Sequence, residues 1–129
     1  MKIDLKVWIS RVLNFLLPKS KDEVNFESLS LEQFMAIAIP HSEIQQKDVY
    51  AIYSYKDPLV KKAVWLLKYR NNAHSLHILS GIMTLRLEEL LENLKLFENF
   101  DKPLLLPVPM SKDRLKERGG NHAEKLAHK

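Results

Sequence analysis

Apolar residues recur every three or four positions between residues 76 and 97, and this stripe constrains the fold more than any other feature of the sequence. Such spacing predicts a long amphipathic helix, with Glu88, Glu89 and Glu92 on the solvated side. A helix of this kind must bury its stripe against other elements, and 129 residues suffice for one hydrophobic core. The stripe consists of Leu76, Leu79, Met83, Leu87, Leu90, Leu94 and Phe97.

Capping signals predict further helices. Ser30 has Gln33 three residues later, which is the pattern of a capping box. Asp57 followed by Pro58 predicts the start of a helix that runs to Arg70. The sequence also predicts a first helix that ends near Leu17, and a last one that begins at Asn121.

Two segments have the composition of strands. Asp48–Tyr55 is rich in β-forming residues, and Leu104–Val108 is a short apolar run without alternation. A run of the second kind is typical of a parallel strand covered on both faces, here with Pro107 and Pro109 marking its end. We therefore expect a helix-rich α/β fold with a short strand near 48–55 and a parallel core strand near 104–108.

Cysteine is absent, which excludes disulfides and cysteine-based zinc or redox sites. The five histidines lack the spacing of metal ligands, and His74 with His77 is best interpreted as a solvent-facing pair. No structural zinc is therefore expected. No apolar stretch approaches the ~18 residues needed to span a bilayer, so we expect a cytoplasmic protein. An amphipathic N-terminal helix lying on a membrane surface stays open as an alternative.

The C-terminal region carries the clearest chemical signal. Six Lys or Arg lie between Ser111 and Lys129, as part of a net charge of +4, and they suit an anionic partner. Arg114 and Arg118 would face the same way on a helix, where both can grip one phosphate group. Gly119 and Gly120 follow, and glycine lets the backbone approach a ligand closely. A solvated surface helix with a glycine cap explains the same spacing.

The segment 107–127 resembles the signature of the ComF family of phosphoribosyltransferases. A second similarity lies upstream, in Tyr55–Val60 and Leu67–Arg70, so that the resemblance runs from about residue 53 onwards. The residues that fall on the signature are Pro107, Val108, Pro109, Arg114, Leu115, Arg118, Gly119, Asn121, Ala123, Leu126 and Ala127.

The resemblance implies the N-terminal part of a type I phosphoribosyltransferase-like fold. Residues 1–47 would form a helical hood without a zinc ribbon, and 48–129 an incomplete catalytic domain. It implies phosphoribosyl diphosphate as substrate, with Mg²⁺, and release of pyrophosphate. Arg114, Arg118, Gly119 and Asn121 are the candidate diphosphate-binding residues, with Lys112 a weaker one. No residue is assigned a catalytic role.

The sequence also departs from the family pattern. Gly120 and His122 stand where the family commonly has Phe and Gln, and the acidic loop ending in Thr-Thr-Gly that holds the ribose phosphate has no counterpart. We therefore expect the 129-residue chain to lack turnover by itself. Two other hypotheses stay open: a nucleic-acid-binding module of a DNA-uptake system, and a non-catalytic helical interaction protein.

Overall fold

The computed structural model describes residues 19–41, 49–98 and 102–129, and six helices lie within these ranges. The N-terminal helix expected before residue 18 lies outside the described residues. The helices are α1 (Lys21–Glu27), α2 (Leu31–Ile37), α3 (Pro58–Arg70), α4 (Ala73–Glu98), α5 (Lys112–Arg118) and α6 (His122–Ala127).

Local capping explains where α1, α2 and α3 begin. The Ser20 hydroxyl accepts a bond from Glu23 N at the start of α1, and Ser30 with Gln33 forms the expected capping box of α2. Asp57 caps α3, since Oδ1 accepts from Leu59 N at 2.7 Å. Its other oxygen, Oδ2, accepts from Ile39 N at 2.6 Å, which joins the end of α2 to the start of α3.

Two consecutive asparagines form the tight turn between α3 and α4. Asn71 ends α3 with the left-handed backbone that asparagine tolerates well, at φ 49°. Asn72 Oδ1 accepts from Ser75 N at 2.8 Å, which caps the start of α4. The Ser75 hydroxyl in turn donates to the carbonyl oxygen of Ala63. These bonds fix α4 closely against α3.

The buried face of α4 differs from the one that the leucine stripe predicted. Ser75, Ile78 and Ile82 are buried, whereas the leucines of the stripe are only half-buried. Small residues allow α4 to approach its neighbours closely on this face, and a Cβ atom at Gly81 would lie 2.9 Å from Leu31 Cδ2. The core cluster comprises Phe26, Phe34, Ala38, Val60, Ala63, Leu66, Ile78 and Ile82.

The expected strands are not present in the described ranges. Around residues 49–55 the structure has an isolated antiparallel bridge between Pro40 and Tyr53, flanked by bonds from His41 N to Ile52 O and from Ser54 N to Ile39 O. The expected core strand 104–108 is extended and exposed, with Leu104 and Leu106 more than three-quarters accessible. A strand is stabilised by backbone pairing, and the described residues provide no partner strand for this segment. The expectation of a helix-rich chain is confirmed.

No described helix combines the length and the apolar character that a bilayer crossing demands.

Candidate anion-binding site

Two short helices and a glycine turn build the C-terminal region. Ser111 caps α5 by accepting a bond from Arg114 N, and Gly119 ends the helix at φ 72°. Gly120 follows at φ 141°, a backbone conformation that residues with a side chain rarely adopt. The turn therefore favours glycine at 120, the position where the ComF pattern has phenylalanine.

A cleft of about 610 Å³ lies between this region and the end of α3. Three of the four predicted site residues, Arg114, Arg118 and Asn121, are brought together in its wall. Gly119 lies at the adjoining turn, outside the lining, and Lys112 is outside it as well. The cleft is lined by Lys68, Val108, Pro109, Met110, Ser111, Arg114, Arg118, Asn121, His122 and Ala123.

The charged lining of the cleft is entirely cationic. Lys68, Arg114 and Arg118 contribute positive charges, and no carboxylate lines the wall. Among the described residues, none of these three cations forms an ion pair. Arg118 is instead held over the ring of Tyr69, with Cζ 6.0 Å from the ring centroid. Unpaired cations that converge on one cleft favour the binding of an anion.

Asn121 is buried and works mainly as a positioning residue. Its Nδ2 donates to the carbonyl oxygen of Val108 at 2.9 Å, and its Oδ1 accepts from Ala123 N at 3.0 Å. The first bond holds the extended segment 102–110 against the start of α6, and the second caps α6. Because both ends of the amide are engaged, Asn121 shapes the cleft that the two arginines line.

The sequence analysis missed two residues of this cleft, Lys68 and His122. Lys68 lies on α3, far from the signature in sequence, and reaches the cleft through the packing of the helices. His122 is only 5% exposed, and neither ring nitrogen has a hydrogen-bond partner within the described ranges. An unsatisfied buried polar group costs about 1–3 kcal/mol. The signal that the sequence offered was the histidine at 122, where the ComF pattern has glutamine.

The surroundings of His122 disfavour the charged form of its ring. Burial first, and then the positive charges of Lys125, Arg118 and Lys68, lower the pKa of His122 from its ordinary value. A neutral imidazole adds no repulsion to the cations around it, and it retains the capacity to accept a proton.

The lining does not fit a protein-held Mg²⁺. Magnesium is bound in proteins chiefly by carboxylate oxygens and water. The wall of the cleft contains no Asp or Glu, and the described part of the chain holds no group of three or more His, Cys, Asp and Glu residues suited to a metal. The cleft can therefore act on a ligand through its cations and its hydrogen-bond donors.

A second groove, of about 470 Å³, lies between α4 and the segment around Ile52. Its charged residues neutralise each other, since Arg86 Nη1 lies 2.7 Å from Glu89 Oε2. Apolar side chains such as Met83 and Leu87 make up much of its wall. This groove lacks the uncompensated charge that distinguishes the C-terminal cleft.

Comparisons of the chain with protein-family models, with curated proteins and with solved structures gave no match.

Proposed function

We propose that this chain binds the diphosphate group of phosphoribosyl diphosphate, as part of a phosphoribosyltransferase of the ComF type. The observation that carries the proposal is the cleft in which Arg114, Arg118 and Lys68 converge without a carboxylate. The sequence resemblance supplies the identity of the ligand, and the α/β fold of such enzymes is part of the same proposal. In that fold, residues 104–108 would become a core strand when paired.

The proposed chemistry is transfer of the ribosyl group. The bond between the anomeric carbon and the diphosphate oxygen breaks, its electron pair stays on the diphosphate, and a nucleophilic atom of the acceptor forms the new bond to carbon. Negative charge then develops on the leaving group. Preorganised cations at that position stabilise the transition state. Arg114 and Arg118 are the residues to which we assign this role.

The test is pyrophosphate binding followed by NMR. We expect resonances of the cleft to shift, with affinity on the order of millimolar for an open, solvated site. Arg118→Ala should weaken binding severalfold, because it removes a charge-assisted bond. Lys116→Ala is the matched control, since Lys116 lies on the same helix but outside the cleft lining. Equal effects of the two substitutions would contradict the proposal.

A second candidate function is binding of single-stranded nucleic acid. The basic segment 111–129 contains no Phe, Trp or Tyr, but the exposed rings of α3 lie beside it. Trp65 and Tyr69 lie 5.7 Å apart between centroids, with Lys62 over the first ring and Arg118 over the second. Exposed rings flanked by cations are typical of surfaces on which bases stack.

An oligonucleotide titration distinguishes this candidate. If bases stack on α3, Tyr69→Ala should weaken binding of a fluorescently labelled single strand, with Leu96→Ala as an exposed control. Pyrophosphate should displace the oligonucleotide only in so far as both ligands contact Arg118. If Arg114→Ala abolishes oligonucleotide binding and Tyr69→Ala leaves it unchanged, the cleft binds an anion without base stacking on α3.

A further inference from the structure

His122 combines burial with unused hydrogen-bonding capacity at the edge of the cationic cleft. His122 is one of the residues that line the cleft, and both of its ring nitrogens are shielded from solvent and have no partner among the described residues. The structure therefore holds a polar side chain, more than nine-tenths buried, at the place where three cations converge. A ring in this position lacks an acceptor, and an oxyanion in the cleft would supply one.

The charges that face His122 are all positive. Lys68 comes from α3, Arg118 from α5 and Lys125 from α6, while Arg114 lines the same cleft. α4 also packs against α6, but none of the charges that lower the pKa of the ring lies on α4. These positive charges disfavour the protonated imidazole as long as the cleft contains no anion.

We propose that His122 is an anion-dependent proton acceptor of the cleft, which becomes protonated when a phosphate-class dianion binds and then donates a hydrogen bond to it. The inference rests on the anion site of the proposed function, and it adds His122 to that site together with Lys68 as a neighbouring cation. The proton comes from solvent, and no covalent bond is formed or broken.

The direction of the pH dependence follows from linkage. A bound dianion favours the positive form of the ring, so its pKa rises on binding. Between the low pKa of the empty cleft and the higher pKa of the occupied one, binding takes up a proton. Affinity should therefore increase as the pH falls through this window, by at most about tenfold per pH unit for one proton.

Sulfate is the probe of choice, because it remains a dianion throughout the relevant range and any pH dependence must come from the protein. The 129-residue chain is titrated with sulfate at about pH 6 and about pH 8, on either side of the usual histidine range. We expect severalfold tighter binding at the lower pH. His122→Gln should bind sulfate with nearly equal affinity at both values, whereas His128→Gln, at an exposed position, should behave like the unmodified chain.

A second measurement does not depend on any variant. The ring proton resonance of His122 reports its titration directly, and saturating sulfate should move its midpoint to higher pH. An unchanged midpoint, or sulfate affinity that does not vary with pH, would overturn the role of His122 and leave the anion site intact. Failure of both sulfate and pyrophosphate to bind would overturn the anion site itself, and the role of His122 with it.

Discussion

Asn121 Nδ2 donates to the carbonyl oxygen of Val108 across 2.9 Å, and this bond joins the extended segment 102–110 to the start of α6. The extended segment 102–110 has mostly exposed side chains, so it buries little apolar surface of its own. The geometry of the cleft therefore depends on a buried amide.

Replacing Asn121 by alanine should destabilise the region and distort the cleft. The substitution removes the cap of α6 and leaves the Val108 carbonyl without its donor, which together should cost about 1–2 kcal/mol. Urea unfolding measures the loss. Asn25→Ala is the control, because Asn25 is exposed on α1. Equal stability of the two variants would show that the bond is dispensable.

Asp57 should be more sensitive to substitution than an ordinary helix cap. It is 5% exposed and accepts bonds from both Leu59 N and Ile39 N. Asp57→Ala would remove the acceptor of two part-buried backbone donors, with an expected loss of about 1–3 kcal/mol. Asp113→Ala, at an exposed site in the first turn of α5, should lower stability by less than about 0.5 kcal/mol in the same unfolding assay.

The two glycines of the turn should differ in their tolerance of alanine. At Gly119 a Cβ atom would meet open space, so Gly119→Ala costs mainly the left-handed backbone, about 1 kcal/mol. At Gly120 a Cβ atom would lie 3.1 Å from Cε and 3.2 Å from Nζ of Lys125. Because Gly120 also has φ 141°, which residues with a side chain rarely adopt, Gly120→Ala should lower the thermal midpoint more than Gly119→Ala does. The opposite ranking would contradict the course of this turn.

Glu27 should make stability depend on pH in the acid range. The hydrogen bond from Lys19 is the main cause that lowers its pKa below 4.5, with Asn72 and the charge of His74 helping, against the opposing effect of burial. A lowered carboxyl pKa gives stability that is present above the unfolded pKa and lost as the pH falls through the folded one. Urea midpoints at about pH 7 and about pH 3 should differ less for Glu27→Gln than for the unmodified chain.

Local signals were sufficient to predict where the helices begin. The capping box at Ser30 and the Asp57–Pro58 start are confirmed, because such caps depend on residues close in sequence. The predicted leucine stripe of α4 is only half-buried. Ser75 is fully buried instead and donates to the Ala63 carbonyl of α3, a tertiary contact that hydrophobicity does not reveal. The strand near 104–108 is not formed within the described residues, because strand pairing depends on segments that are distant in sequence.

The candidate site was predicted in part. The four-residue spacing of Arg114 and Arg118 brings both into one cleft, as helical geometry requires. Lys68 could not be predicted, because its place in the wall depends on how α3 packs against the C-terminal region. The role that we propose for His122 also depends on the burial of its side chain, and burial cannot be read from the residue type alone.

The exposed segment 102–110 also bears on how the protein behaves at high concentration. Leu104, Leu106 and Val108 would suit a template for intermolecular β-pairing, the first step towards amyloid-like aggregates. The prolines at 103, 107 and 109 interrupt that hazard, since none has an amide hydrogen to offer a neighbouring chain. The same residues that limit this segment as a strand thus act as gatekeepers against self-association.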